Sequence, residues 1–249
     1  MKKATLSILV LGTLITWYSC SKEQVKPGSV NQPPENSRIK TKTMNGIVQT
    51  FTYNNEGRLL QVTKAGKATP DYLYTYNGNT ILMKRYKDDG SLLEDVTMTL
   101  NAQGLVEDYQ NALQPGDDFK YAYDDKSRMI KISRFHNGQL DNTTRFTYKD
   151  GNMVSDSTIS ANGTLNNTRE YEYYTGVIST IQSEHFGESF WGKESLNPPK
   201  KIYYKSNNGS VTSIQEIQPY GQDSQGRISK KVMYSSGSGA TSTSEYTYY

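Results

Sequence analysis

The sequence predicts an all-β fold: an antiparallel meander of tandem β-hairpins, about sixteen strands in all, that curls into a wide barrel or half-barrel. Three observations predict it. A short aromatic motif recurs at intervals of about 23 to 31 residues, which is typical of stacked supersecondary units. Aromatic residues fall at every second position within segments, and clusters of Asn, Asp and Gly interrupt the chain at close to twelve-residue spacing.

The motif consists of an aromatic residue, any residue, Tyr, a polar turn ending in Gly or Ser, then Arg and an apolar residue. Its fullest copies are Phe51 to Leu59 and Tyr121 to Met129. Weaker copies follow Tyr76, Tyr148, Tyr173, Tyr204 and Tyr220. Each copy predicts an aromatic strand, a tight turn and an aliphatic strand, which together form one hairpin.

Alternation defines the two faces of the predicted sheet. In the segment from Asp118 to Tyr123 the aromatic rings share one face, while Lys120 and Ala122 share the other. The same spacing occurs in Tyr74/Tyr76, Phe146/Tyr148, Tyr171/Tyr173 and Tyr246/Tyr248. A sheet of this many strands must close or shield its edges, so a barrel or half-barrel is expected, with an open single-layer sheet as the alternative. No helical segment is expected after the N-terminal region.

The N-terminus predicts secretion. Lys2 and Lys3 precede an apolar run that is too short to span a bilayer as a mature helix, so residues 1–19 are expected to be a signal peptide. The chain's single cysteine, Cys20, follows Ser19 and resembles a lipid-attachment site; the alternative is an ordinary secretory signal with a leftover thiol. Residues 20–37 are expected to form a lipidated, flexible tether, and residues 38–249 the tandem-hairpin β domain.

The segment after Cys20 bears on localisation. No Asp follows the cysteine, and by resemblance to lipoprotein sorting rules this favours a lipid anchor in the outer membrane, on either the surface or the periplasmic face. A membrane-embedded β-barrel is an alternative, because Tyr246 to Tyr249 superficially resembles the aromatic ending of outer-membrane strands. Strands such as Gln139 to Tyr148 and Thr164 to Tyr173 carry Asn, Thr, Arg and Glu along their length, which favours a barrel held by its lipid.

Composition limits the function classes. The chain has 28 Lys and Arg against 25 Asp and Glu, and two of the lysines lie in the signal, so the mature protein is close to neutral. This charge excludes a strongly basic nucleic-acid surface. Twenty tyrosines compensate for a low content of aliphatic residues, since each can bury its ring while its hydroxyl stays bonded.

Few residues are suited to chemistry. The two histidines, His136 and His185, lie in different repeats without Cys or clustered acids nearby, so no catalytic residue, metal site or cofactor is expected. Three pairs of acids lie in or beside turns, where Asp is common for backbone reasons: Asp88-Asp89, Asp117-Asp118 and Asp124-Asp125. The chain is therefore expected not to be an enzyme, with a glycan-acting enzyme as the alternative.

The longest break in the repeat period runs from His185 to Pro199 and contains Phe186, Phe190 and Trp191. Long insertions between regular units often carry binding function, so these aromatic residues and His185 predict a binding loop for a glycan or a protein. The alternative is a loop that caps the end of the barrel, with Phe190 and Trp191 packed inward.

The repeated motif resembles the Tyr-Asp repeat of Rhs-type shell proteins over roughly residues 46–234. Together with the N-terminal signal, the whole chain is similar to Bacteroidota lipoproteins that carry an uncharacterised domain of porin-like fold. The resemblance implies a barrel and no catalytic activity, and the cargo encapsulation of Rhs shells is not carried over to so short a chain. The expected function is that of a non-enzymatic envelope lipoprotein with a binding or structural role.

Overall fold

The computed structural model describes residues 37–249, and the expectations for the signal peptide, Cys20 and the tether up to residue 36 lie outside the described residues. The seventeen strands in this part of the chain are β1 (Ile39–Met44), β2 (Ile47–Tyr53), β3 (Leu59–Lys64), β4 (Tyr72–Asn77), β5 (Thr80–Tyr86), β6 (Leu92–Leu100), β7 (Val106–Asn111), β8 (Asp117–Tyr123), β9 (Met129–His136), β10 (Gln139–Lys149), β11 (Asn152–Ser160), β12 (Leu165–Tyr173), β13 (Pro199–Ser206), β14 (Val211–Ile217), β15 (Gly221–Gln222), β16 (Ile228–Ser235) and β17 (Thr241–Tyr248).

The strands form a closed antiparallel barrel. Each strand from β1 to β13 pairs with the next, β14 pairs with β16, β16 with β17, and β17 returns to β1. The two-residue strand β15 lies beside β16 as an addition to the sixteen-stranded ring. The predicted all-β meander of about sixteen strands is confirmed, and closure selects the barrel over the half-barrel and the open sheet. Closure pairs the two strands, β1 and β17, that would form the edges of an open sheet.

The repeated motif owes its turn to an Asx side chain. Asn54 Oδ1 accepts hydrogen bonds from the backbone N–H groups of Glu56 and Arg58, at 3.0 and 2.9 Å, and Gly57 adopts the left-handed conformation with φ 75°. Asp and Asn satisfy turn donors in this way because their short side chains reach the backbone two and four residues on. The same turn is built on Asn101, Asp124 and Asp223.

The arginine and tyrosine of the motif join consecutive hairpins. The Arg58 guanidinium lies 4.3 Å from the centre of the Tyr76 ring, and the Tyr76 hydroxyl donates to the carbonyl of Leu59 at 2.7 Å. The same pair of contacts is made by Arg128 with Tyr148 and by Arg227 with Tyr248. A cation over a tyrosine face and a buried hydroxyl bond each stabilise the junction, which explains why the motif requires these residue types.

One weak motif copy lies at the other end of the barrel. The chain after Tyr204 turns at Ser206, whose backbone N–H donates to the carbonyl of Ser210 at 2.9 Å. Strand β13 runs antiparallel to β12, so this turn lies opposite the end at which Tyr173 terminates β12. The sequence resemblance of this copy therefore reflects common turn chemistry and not the same position in the barrel.

Apolar side chains face the interior of the barrel. Cross-strand partners Phe51 and Val62, and Ile81 and Met98, are buried in one core cluster. The outer face carries ion pairs between neighbouring strands, such as Lys205 with Glu170 at 2.6 Å and Lys201 with Glu216 at 2.8 Å. The sheet therefore has an aromatic and apolar inner face and a charged outer face, as the alternation predicts.

The expectation of no helix after the N-terminal region is wrong in detail. The chain between β12 and β13 contains two short 3₁₀ helices, Ser183–Phe186 and Ser189–Trp191. Turns of this kind are common in irregular connections and carry no helical period that would reveal them in the sequence. None of the helical turns in residues 37–249 has the length and apolar content that a membrane-spanning helix requires.

Candidate functional site

Residues 174–198, called here the inner loop, connect β12 and β13 by a path that packs against the inner wall of the barrel. The Phe186 ring lies 5.1 Å from that of Phe51 on β2, and the Trp191 ring lies 5.3 Å from that of Tyr121 on β8. Phe190 belongs to the buried core cluster and is only 5% exposed. The inner loop thus places its aromatic side chains against strands that are far away in sequence.

Backbone hydrogen bonds hold the inner loop to three hairpins at one end of the barrel. The N–H of Leu59 donates to the carbonyl of Gly187 at 3.1 Å, and the N–H of Lys193 donates to that of Ser127 at 2.8 Å. A third bond joins the Leu196 N–H to the carbonyl of Gly151 at 3.0 Å. Because these bonds are spread along the loop, both of its 3₁₀ helices are fixed against the barrel wall.

The four residues predicted as a binding loop lie close together and face inward. His185 is 2% exposed, Phe190 is buried, and Phe186 and Trp191 are half-buried. Neither ring nitrogen of His185 has a hydrogen-bond partner within residues 37–249, and burial lowers its pKa to about 4. These positions match the geometry of the inward-packed alternative, while ligand binding by these side chains stays a prediction.

A cavity of about 240 Å³ lies between the other flank of the inner loop and the inner wall formed by β10, β11 and β12. It is called here the tyrosine cavity, and its lining residues are Tyr148, Met153, Tyr171, Tyr173, Ser179, Gln182, Glu194, Ser195, Asn197 and Pro199. The rings of Tyr171 and Tyr173 are nearly parallel, with an angle of 26° between their planes. The cavity therefore combines ring surfaces from the barrel with polar groups from the loop.

The tyrosine hydroxyls are already engaged. Tyr173 donates to the carbonyl of Met153 at 2.6 Å, and Tyr171 donates to Asp156, which is 1% exposed, at 2.6 Å. Burial raises the pKa of Tyr148 to about 12, and the pKa of Tyr171 is raised as well, first by burial and then by its bond to Asp156. The rings are thus neutral and fixed in orientation, and they offer ring surface to a ligand.

The polar side of the tyrosine cavity is also ordered. Glu194 accepts a hydrogen bond from the backbone N–H of Ser183 at 3.0 Å, and the Asn197 side chain donates to the carbonyl of Val177 at 2.6 Å. Glu194 is exposed, so part of its carboxylate remains open to solvent. The alternation of Tyr171 and Tyr173 shows in the sequence that they share a face, but the loop residues that complete the cavity carry no comparable signal.

A second cavity, of about 390 Å³, lies at the opposite end of the barrel and is lined by Gln49, Lys64, Asp71, Tyr72, Arg85, Tyr86, Lys87, Asp88 and Leu93. Its charges are largely paired, with Lys64 bonded to Asp88 at 3.1 Å and Arg85 to Glu94 at 3.2 Å. Paired ions leave little free charge for a ligand, so this cavity is the weaker candidate.

His136 and the acids of the turns make structural contacts. His136 Nδ1 lies 2.7 Å from Asp117 at an exposed hairpin end, and Asp124 accepts hydrogen bonds within its own turn. The hydrogen bonds from His136 and then Arg134 lower the pKa of Asp117. Over the part of the chain that the structure describes, no group of three or more His, Cys, Asp or Glu side chains is arranged to hold a metal ion.

Solved structures share this fold. A porin-like protein from Bacteroides uniformis ATCC 8492 superposes with a TM-score of 0.60 at 14% identity, covering 86% of this chain and 98% of that one. A porin-like protein from Bacteroides vulgatus ATCC 8482 gives 0.55 at 13% identity, covering 84% and 98%. A putative outer membrane lipoprotein-sorting protein domain from Vibrio parahaemolyticus reaches 0.24 at 10% identity, which is too low to support an inference. No family model and no curated protein sequence matches the chain.

Proposed function

We propose that this chain is a non-enzymatic envelope lipoprotein whose barrel is a binding module and not an open pore, with a glycan as its ligand. The observation that carries the proposal is the inner loop, which packs inside the barrel and forms the tyrosine cavity together with β10, β11 and β12. A sixteen-stranded barrel is wide enough for an aqueous channel, and here residues 174–198 occupy part of that space.

The chemistry of the tyrosine cavity favours a sugar ring. Sugar rings have apolar C–H faces that stack on aromatic rings, and hydroxyl groups that bond to polar side chains such as those of Gln182 and Glu194. At about 240 Å³ the cavity is smaller than a drug-sized pocket, which suits a single sugar unit of a longer glycan. Fixed tyrosine rings and a fixed loop reduce the entropy lost on binding.

The arrangement of acids favours binding over hydrolysis. A glycosidase requires two carboxyl groups that face each other across the substrate. Among the residues lining the tyrosine cavity the only carboxylate is Glu194, and the nearby Asp156 is held by the Arg169 guanidinium, with both oxygens 3.0 Å from Nε. A carboxylate held by such charge-assisted hydrogen bonds is part of the barrel wall and is not free to take part in hydrolysis.

The outer face favours a barrel that is anchored by lipid and not embedded. A membrane-spanning barrel requires an outward apolar band about 25 Å tall. Here the ion pair Lys205–Glu170 lies on the outside, and the pair Lys84–Asp95 does so in the middle of its strands. We therefore expect Cys20→Ser to move the full-length protein out of the outer-membrane fraction, and retention of this variant in the membrane would favour an embedded barrel.

The binding proposal is tested with the full-length protein in mild detergent, screened against envelope polysaccharides and peptidoglycan fragments and followed by calorimetry. For the glycan that binds, we expect Tyr171→Leu to weaken binding about fivefold, since an aromatic contact contributes about 1 kcal/mol. Tyr171→Phe is the matched control, because it keeps the ring and should retain binding. Equal affinity in Tyr171→Leu, or no saturable binding of any glycan, would contradict the proposal.

A further inference from the structure

The aliphatic strand of each repeat places two side chains on the inner wall: the apolar residue after Arg, and a second one three positions further on. In four repeats these pairs are Leu59 and Val62, Met129 and Ile132, Ile39 and Lys42, and Ile228 and Lys231. Val62 is 4% exposed and part of the core cluster. Two repeats therefore carry lysine at a position where the other two carry an aliphatic residue.

These two lysines lie close together on the barrel wall. Lys42 on β1 and Lys231 on β16 occupy the two strands that flank β17. Lys42 is opposite Tyr246, and Lys231 is opposite Ser244, two residues away on the same face of β17. Both β17 residues are buried, the Ser244 side chain hydrogen-bonds with Tyr246, and the small serine leaves room on this face for the long side chains of the two flanking strands.

The two lysines lack acidic partners. Neither makes an ion pair with any residue in 37–249, whereas other cations on the inner wall do: Arg85 with Glu94, Arg134 with Asp117, and Arg169 with Asp156. Burial lowers the pKa of both lysines, and the charge of Lys42 lowers that of Lys231 further. Two like charges on a half-buried wall destabilise the fold unless an anion neutralises them.

We propose that Lys42, Lys231 and the hydroxyl of Ser244 form an oxyanion-binding site on the inner wall of the barrel. Its ligand carries a phosphate or carboxylate group, which both ammonium groups can contact through charge-assisted hydrogen bonds. The site lies on β1, β16 and β17, whereas the tyrosine cavity lies on β10 to β12, so the two sites use different walls. This inference does not depend on the identity of a glycan in the tyrosine cavity.

The test is calorimetry on the full-length protein with inorganic phosphate and with glucuronate as probes, at ionic strength held constant with chloride. We expect saturable binding of at least one probe, and at least tenfold weaker binding in Lys42→Met and in Lys231→Met. Binding of phosphate alone assigns a phosphoryl group to the ligand, and binding of glucuronate alone assigns a carboxylate. Lys131→Met is the matched control, since Lys131 is exposed and points away from the interior.

Thermal unfolding separates lost binding from lost folding. In chloride buffer without the probes, Lys231→Met and Lys42→Met are expected to melt at the same temperature as the parent or higher, because each removes one of two repelling charges. In the presence of the bound probe the order should reverse, since only the parent gains ligand stabilisation. Absence of saturable binding of both probes, or an equal loss in Lys131→Met, overturns the proposal.

Discussion

Gly187→Ala tests whether the inner loop is held against the barrel wall as the structure shows. Gly187 adopts φ +75°, and a Cβ added there would lie 2.7 Å from the backbone nitrogen of Leu59 and 2.8 Å from the Tyr53 ring. Gly176, in the same loop, has φ +80° and nothing within 4 Å of an added Cβ. The two substitutions therefore share the backbone strain and differ in the collision with the wall.

The geometry sets the expected difference. An L-residue in the left-handed region costs about 1–2 kcal/mol, which applies equally to Gly176→Ala and Gly187→Ala. At Gly187 the loop must also move away from the wall, which weakens the 3.1 Å bond from the Leu59 N–H, a contribution of about 1 kcal/mol. Loosened packing between the Phe186 and Phe51 rings adds about 0.5–1.5 kcal/mol. Gly187→Ala should thus lose about 2 kcal/mol more than Gly176→Ala.

The measurement is equilibrium urea unfolding followed by tryptophan fluorescence. Trp191 lies in the inner loop, and the other tryptophan of the chain, Trp17, lies in the predicted signal peptide, which the mature protein is expected to lack. We expect Gly187→Ala to lower the urea midpoint well below that of Gly176→Ala and to shift the native Trp191 emission to longer wavelength, as the loop loosens. Equal free energies of unfolding for the two variants, to within about 0.5 kcal/mol, would refute the close approach of loop and wall.

Three further predictions concern the barrel and are measured by urea unfolding. Tyr76→Phe removes the hydroxyl bond to the Leu59 carbonyl and should lower the free energy of unfolding by about 1 kcal/mol; an unchanged midpoint would argue against the proposed junction between repeats. Asp156→Ala leaves the half-exposed Arg169 without its carboxylate partner and should lower the free energy of unfolding by about 2 kcal/mol. A decrease of less than about 0.5 kcal/mol would contradict this prediction. Burial lowers the pKa of His185 from 6.5 to about 4, so its neutral form stabilises the fold above pH 6.5 and this stability is lost as the pH falls toward 4. His185→Leu should therefore lose less free energy of unfolding than the parent between pH 7 and pH 5. Identical losses in the two proteins would contradict this.

The strands and turns were predictable because their determinants are local. Alternating aromatics such as Tyr171 and Tyr173 define a strand face within a few residues, and Asn54 and Gly57 define their own turn. These signals give strand number and antiparallel order without knowledge of distant contacts. The same local signals do not distinguish a closed sheet from an open one. The sequence therefore predicts a barrel or half-barrel, with an open sheet as the alternative.

Closure and the interior depend on distant residues and were not predictable in this way. The barrel closes where β1 meets β17, with Thr41 Oγ1 bonded to Thr247 Oγ1 at 2.7 Å across 206 residues of sequence. The inward path of the inner loop likewise depends on Phe51 and Tyr121, which are supplied by separate hairpins. The break in the repeat period shows where a loop lies in the sequence. It is compatible both with a loop that points outward for binding and with one that packs inward.

The repeat explains why the barrel tolerates this loop. Tyr173 ends its strand with the same hydroxyl bond that other motif tyrosines make, to the carbonyl of Met153 on the preceding hairpin. After the loop the pattern resumes, since Tyr220 donates to the carbonyl of Pro199 at 3.1 Å. The inner loop thus replaces one hairpin turn and leaves the junctions between repeats intact. Because those junctions are made without the loop, the binding role proposed for the tyrosine cavity places no demand on them.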